Sequence, residues 1–231
     1  MKKILTTAIL CAGLVGFTAC DSFLDEDPKS SLTLDTYYKT SADIIGNVNY
    51  LYRDGAPDKM GNMTGAYRGS SLSVMNMVTG YFVNEYEGQE VDCSYARQLT
   101  RQNFTQSCCN YLTNDTWKSC YKSINVANAV IKYVDGVEMD NQAQYKAEAR
   151  FFRALNYFYL VKMFGDVPMV TEPTEDATLV EYPTRTAASE VFNTVIIPDL
   201  QFAVENLPNA TFAGNSHRVT KYAADMLLAD V

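Results

Sequence analysis

The chain has 231 residues, of which 47% are hydrophobic, and its formal net charge at pH 7 is -8. Such an acidic protein is poorly suited to binding nucleic acid, whose phosphates require a basic surface. The hydrophobic fraction is sufficient for a packed core, and the length corresponds to one or two domains.

The amino terminus has the layout of a secretory signal. Two lysines precede an apolar run over residues 4–17, and the small pair Thr18-Ala19 precedes Cys20. The run is too short to cross a bilayer, which takes about 20 apolar residues. Residues 1–19 are therefore predicted to be a signal peptide.

The end of this segment resembles a bacterial lipobox, in which the cysteine after the small residues is acylated. Cys20 is therefore the predicted lipidation site, although Phe17 stands where leucine is usual. The alternative is an ordinary signal peptide next to which Cys20 stands by chance. We expect the mature protein to work outside the cytoplasm, held to a membrane by lipid, with residues 20–40 as its lipidated amino terminus and tether.

Four cysteines remain after Cys20 is assigned to lipid: Cys93, Cys108, Cys109 and Cys120. In an oxidising compartment they allow three full pairings. A disulfide from Cys93 to Cys108 or Cys109 and free buried thiols are both compatible with the spacing. Because there is no C-x-x-C motif, no metal site is predicted.

The first helix of the body is predicted to begin after Thr40, because Asp43 stands three positions later in the pattern of a capping box. It should run to about Arg53, where an Asp-Gly-Ala-Pro segment stops it. Residues 57–71 contain three glycines and are predicted to be a loop. A short helix is predicted over residues 72–78.

Two longer helices are predicted to follow as a helical hairpin. The first has an apolar face at helical spacing, a cap at Asn114 or Asp115 and an end near residues 135–136. The second runs from a cap at Asp140 through Phe164, because a glycine and then a proline follow. This second helix is apolar almost all round, which predicts burial on several sides.

The same arrangement is predicted to repeat, with helices over residues 186–206 and 218–231 and one short extended piece over residues 167–171. Successive hairpins predict an all-α fold of tetratricopeptide-like repeats, although the spacing is looser than 34 residues. The last helical pattern ends with no cap, glycine or polar tail. We therefore expect the N-terminal part of a longer protein, with residues 41–231 as its helical domain.

Three stretches of the sequence carry a family resemblance. Residues 23–28 read FLDEDP after the predicted lipidated cysteine. Residues 147–168 contain AEARFFRA and then FGDVP, which is the most specific of the three motifs. Residues 184–221 contain IPDL, then LP, then RVTK. Together they resemble the SusD/RagB family of outer-membrane, surface-exposed nutrient-binding lipoproteins of Bacteroidetes.

The resemblance implies an all-helical fold with long irregular loops, of which this sequence matches about the N-terminal half. It also implies a binding protein that captures oligosaccharides, or in some members peptides, and passes them to a SusC-like TonB-dependent barrel. Two alternatives stay open: a helical-repeat scaffold that binds other envelope proteins, and a surface glycosidase. A catalytic function is not predicted, because His217 is the single histidine and no catalytic motif surrounds it. No cofactor is predicted either.

The candidate ligand-binding residues lie in the irregular stretch between about residues 57 and 110. Aromatic rings stack on the flat apolar faces of sugars, and polar side chains in loops can bond the sugar hydroxyls. The candidates are Tyr67, Arg68, Tyr81, Phe82, Asn84, Tyr86, Asp92 and Tyr95.

Three other prominent residues are predicted to be structural. Trp117 lies on the apolar face of its helix and is predicted to be in the core. Arg150 and Arg153 could grip a carboxylate, but an ion pair with an acid such as Glu148 or Asp166 is the favoured use.

Overall fold

The computed structural model describes residues 33–53, 64–65, 68–69, 79–82, 98, 100–103, 106–175 and 183–231. Over these residues the protein is built from helices and two short antiparallel ladders, so the predicted all-α class is confirmed. The helices are α1 (Leu34–Tyr37), α2 (Ser41–Arg53), α3 (Gln106–Tyr133), α4 (Gln142–Phe164), α5 (Ala188–Val191), α6 (Ile197–Asn206) and α7 (Lys221–Asp230). The strands are β1 (Thr64–Gly65), β2 (Arg68–Gly69), β3 (Val167–Pro168) and β4 (Arg185–Thr186).

Helix α2 begins and ends where the sequence predicts. The Asp43 carboxylate accepts hydrogen bonds from the backbone N–H of Thr40 at 2.8 Å and from its hydroxyl at 2.7 Å. These bonds hold the pKa of Asp43 below its usual range. Ile44, Val48 and Leu51 lie one helical turn apart and are all fully buried, which attaches this helix to the core.

Helix α3 begins at Gln106, so the predicted start at Asn114 or Asp115 is wrong. Neither glycine nor proline occurs between Gln106 and Tyr133, and asparagine or aspartate inside a helix costs only a fraction of 1 kcal/mol. The helix therefore continues through the predicted cap instead of beginning there.

Helix α4 begins at Gln142, so the predicted cap at Asp140 is also wrong. Asn141 takes the cap position in the left-handed conformation with φ of 56°, which asparagine tolerates better than most residues. The predicted end is confirmed: Gly165 has φ of 67° and donates its N–H to the carbonyl of Val161.

The helix predicted over residues 186–206 begins at Ala188 and contains one wide turn. Thr186 instead belongs to β4, which pairs with β3. Residues Phe192–Ile196 form a π turn between α5 and α6. Pro198 lies two positions after Ile196. Because proline has no N–H, it cannot donate the helical hydrogen bond to the carbonyl four residues earlier.

Helix α7 begins at Lys221 and not at residue 218, since Thr220 is its N-cap residue in extended conformation. Helix α4 packs against α3 and α6, and α6 packs in turn against α7. The two predicted hairpins are therefore present.

Smaller predictions have mixed outcomes. The predicted loop over residues 57–71 contains the β1–β2 ladder, and the extended piece over residues 167–171 contains β3. Cys120 is a fully buried thiol. The helix over residues 72–78 and the bridge from Cys93 fall outside the described residues.

Within the part of the chain that the structure describes, no helix has both the length and the apolar character needed to cross a bilayer.

Candidate functional site

Two of the predicted ligand-binding residues, Tyr81 and Phe82, lie in a described turn. Their exposed fractions are 88% and 53%, the first being the largest among the exposed large hydrophobic side chains of the described residues. Gly80 precedes them with φ of 80°, a conformation that glycine adopts without strain. The backbone N–H of Tyr81 donates to the hydroxyl of Thr79 at 3.3 Å. The turn thus presents two adjacent aromatic rings to solvent.

A third candidate, Arg68, lies on β2 with Gly65 as its partner residue on β1. The remaining predicted site residues lie outside the described residues: Cys20, Tyr67, Asn84, Tyr86, Asp92 and Tyr95. For them the site stays a prediction from sequence.

Glu148 forms an ion pair with Arg218, whereas the sequence analysis predicted Arg150 or Arg153 as its partner. Glu148 has no exposed surface, and its carboxylate accepts two bonds from Nε of Arg218, both at 3.0 Å, and one from Nη2 at 2.6 Å. The hydroxyl of Tyr52 donates to the same carboxylate at 2.9 Å and accepts the N–H of Val219 at 3.0 Å. This network joins α2, α4 and the segment before α7.

Arg153 pairs with Asp199, so neither Glu148 nor Asp166 is its partner as predicted. The guanidinium donates to both carboxylate oxygens of Asp199, at 2.7 Å and 2.9 Å, and to the side-chain oxygen of Asn128 at 2.9 Å. Arg150 lies 3.7 Å from the same aspartate. The sequence alone could not give this partner, because Asp199 is 46 positions away on another helix.

The partners predicted for the two arginines have other roles. The Asp166 carboxylate accepts the backbone N–H of Ala188 at 3.0 Å, which fixes the start of α5.

Trp117 packs against the core through Tyr121 and Phe164, with ring centroids 5.0 and 5.1 Å away. The prediction that Trp117 belongs to the core is thus confirmed in part, because the side chain is partly buried against the core.

A groove that the sequence reasoning missed lies between the start of α2 and the link from α3 to α4. Its volume is about 630 Å³. The residues that line it are Ser41, Ile45, Glu138, Met139, Asp140, Asn141 and Tyr145. The sequence does show two acids, Glu138 and Asp140, in the short link between α3 and α4. It does not show that α2 lies next to them.

Groups of three or more potential metal ligands are absent from the described ranges. His217 lies on the surface with φ of 62°, and its ring meets that of Phe212 edge-on at 5.2 Å.

A family model described as "Starch-binding associating with outer membrane" matches residues 22–231. The chain belongs to the SusD-like family. The predicted resemblance is therefore confirmed over nearly the whole sequence.

Known relatives agree with this assignment. The SusD-like protein P2 of Formosa agariphila is 29% identical over 216 residues, covering 92% of this chain and 40% of the relative. A solved laminarin-binding SusD-like protein matches with a TM-score of 0.63 at 24% identity, covering 84% of this chain and 40% of that one. A structure with a xylogluco-oligosaccharide matches with a TM-score of 0.59 at 23% identity, covering 81% and 34%. The chain thus spans about 40% of the length of the SusD-like protein P2.

Proposed function

We propose that this SusD-like protein is a surface-exposed outer-membrane lipoprotein that binds oligosaccharides. The observation that carries the proposal is the family match over residues 22–231, whose description names starch binding and the outer membrane. The laminarin-binding and xylogluco-oligosaccharide structures support a glycan as the ligand class. In the same proposal the ligand passes to a SusC-like TonB-dependent barrel, and lipid on Cys20 holds the protein at the membrane.

The exposed turn of Tyr81 and Phe82 supports this function physically. Rings with 88% and 53% of their surface in water gain free energy by covering the apolar C–H face of a sugar. Binding energy is usually concentrated in a few such aromatic residues. Gly80, with φ of 80°, lies in the turn that carries both rings.

Affinity electrophoresis through gels that contain laminarin tests the glycan ligand. Tyr81→Ala/Phe82→Ala should be retarded much less than the wild-type protein, because its affinity at the aromatic turn is lowered about tenfold or more. Phe212→Ala is the matched control, because its ring is 58% exposed and lies elsewhere. Equal retardation of wild type and both variants would contradict the assignment of the aromatic turn. No retardation of the wild-type protein by laminarin or xyloglucan would contradict glycan binding itself.

Anchoring and delivery have separate tests. Labelled palmitate should be incorporated into the wild-type protein and not into Cys20→Ala. A tagged protein isolated from the native outer membrane should bring with it a TonB-dependent barrel. Isolation of other envelope proteins without a barrel, together with no glycan binding, would favour the scaffold alternative.

A further inference from the structure

The groove between α2 and α4 is built by three separate parts of the chain. Ser41 and Ile45, one turn apart, contribute from α2, and Tyr145 contributes from the first turn of α4. The link residues 138–141 complete it. Its volume of about 630 Å³ falls in the range of about 300–1,000 Å³ that is usual for ligand sites.

The polar atoms of the groove side chains make no bonds within the described part of the fold. Among the residues that the structure describes, no hydrogen bond or ion pair is made by the side-chain oxygens or nitrogens of Ser41, Glu138, Asp140, Asn141 or Tyr145. Asn141 holds the N-cap position of α4, yet its amide does not cap the helix. Five polar groups therefore converge on one space with their bonding capacity left for water or a ligand.

In a second cavity, of about 300 Å³ near α1, polar side chains of the lining are hydrogen-bonded to other residues of the protein. There the amide of Asn47 donates to the hydroxyl of Tyr37 at 3.1 Å and to the carbonyl of Asp43 at 2.9 Å. The side-chain oxygen of Asn125 accepts the N–H of Thr174 at 2.7 Å. The polar groups of the smaller cavity hold the fold together, whereas those of the groove do not.

Charge restricts what the groove can accept. Two basic residues next to groove residues in the chain or in space are already paired, since Lys146 binds Asp135 and Arg218 binds Glu148. Glu138 and Asp140 form no ion pair within the described ranges, and the described lining of the groove contains these two acids and no basic residue. An anionic ligand would be repelled.

We propose that this groove is a further saccharide site, which takes uncharged sugar units and rejects anionic ones; this rests on the proposed function. Two carboxylates and one amide match the paired hydroxyls of a sugar ring, because carboxylates only accept and hydroxyls donate. The side chains of Ile45 and Met139 offer apolar surface for the C–H face, beside the Tyr145 ring, over which the Arg218 guanidinium lies 5.3 Å from the centroid.

Nuclear magnetic resonance of the whole chain, labelled at methionine methyl groups, tests this directly. The signal of Met139, assigned with Met139→Leu, should shift when a laminarin hexasaccharide or a xylogluco-oligosaccharide is added. A hexagalacturonate should leave it unchanged. A shift caused by hexagalacturonate or by tetralysine, but by neither neutral sugar, would overturn the proposal.

Two double variants separate this site from the aromatic turn. Glu138→Ala/Asp140→Ala should weaken the binding that moves the Met139 signal about tenfold. Glu190→Ala/Glu205→Ala, an equal charge change at exposed positions elsewhere, should not. In Tyr81→Ala/Phe82→Ala the Met139 shift should persist. If laminarin still retards the protein but Met139 never shifts, the groove proposal fails alone; if neither response occurs, glycan binding fails as well.

Discussion

The buried charges of α4 and the charges of the groove behave in opposite ways, although both lie beside α2. Glu148 on α4 has no exposed surface and accepts bonds from both Arg218 and Tyr52. Glu138 and Asp140 are exposed and have no such partner among the residues described. Acidic residues at most ten positions apart in the chain therefore divide into one that holds the helices together and two that have no partner among the residues described.

The largest effect should come from Arg218→Ala. It leaves the carboxylate of Glu148 buried without its cation, and breaking one side of a buried pair typically costs about 3 to 5 kcal/mol. Urea unfolding of the full chain would measure the loss in the free energy of unfolding. Arg218→Lys keeps the charge but not the three bonds, so its loss should be smaller. A loss below about 1 kcal/mol for Arg218→Ala would contradict the structural role of this pair.

Tyr157→Phe should have the next largest effect. The buried hydroxyl donates to the carbonyl of Val170 at 2.8 Å and accepts its N–H at 2.7 Å, so removing it should cost about 2 kcal/mol at pH 7.

Tyr157→Phe also carries a pH dependence. Burial raises the pKa of Tyr157 to about 12, whereas the unfolded pKa is about 10. Its neutral form therefore stabilises the native state below pH 10, and that contribution of about 2 to 3 kcal/mol is lost as the pH rises to 12. The free energies of unfolding of wild type and variant, plotted against pH, should therefore converge between pH 10 and pH 12. A constant difference over this interval would contradict the raised pKa of Tyr157.

Asp43→Asn should have a smaller effect at the start of α2. The hydroxyl and backbone N–H of Thr40 lower the pKa of Asp43, so its contribution is present above the unfolded value of about 3.9 and lost as the pH falls through the folded value. The melting temperature should therefore fall slightly at pH 7, with no difference from wild type at strongly acidic pH. A difference that grows on acidification would contradict this cap.

Glu138→Ala/Asp140→Ala should have the smallest effect on folding. Because these side chains make no bonds within the described part of the chain, the free energy of unfolding should stay within about 0.5 kcal/mol of the wild-type value. Chemical denaturation beside Glu190→Ala/Glu205→Ala measures this. A large destabilisation would show that the two acids belong to the fold, and the contrast with Glu148 would then disappear.

Helix ends were predictable where they depend on local chemistry. The bonds of Asp43 to Thr40 and the positive φ of Gly165 both follow from residues within a few positions. The starts of α3 and α4 were wrong because caps such as Asn114 and Asp140 are weak preferences that packing overrides. The π turn of Phe192–Ile196 was not predicted, although Pro198 was visible in the sequence.

Partners across the fold could not be predicted. Arg153 and Asp199 are 46 positions apart, and Glu148 and Arg218 are 70 apart, so only the packing of the helices joins them. The groove has the same origin, since α2 and the link over residues 138–141 meet only in the folded chain. Exposed aromatic residues such as Tyr81 could be proposed from the sequence, because their position in an irregular stretch is a local property.

Isothermal titration of the wild-type protein with laminarin and xylogluco-oligosaccharides tests whether this chain binds glycans. We expect saturable heat of binding with at least one of these neutral glycans, from a protein that melts cooperatively. A protein that melts cooperatively but releases or absorbs no heat with either glycan would contradict the claim that this SusD-like chain binds oligosaccharides.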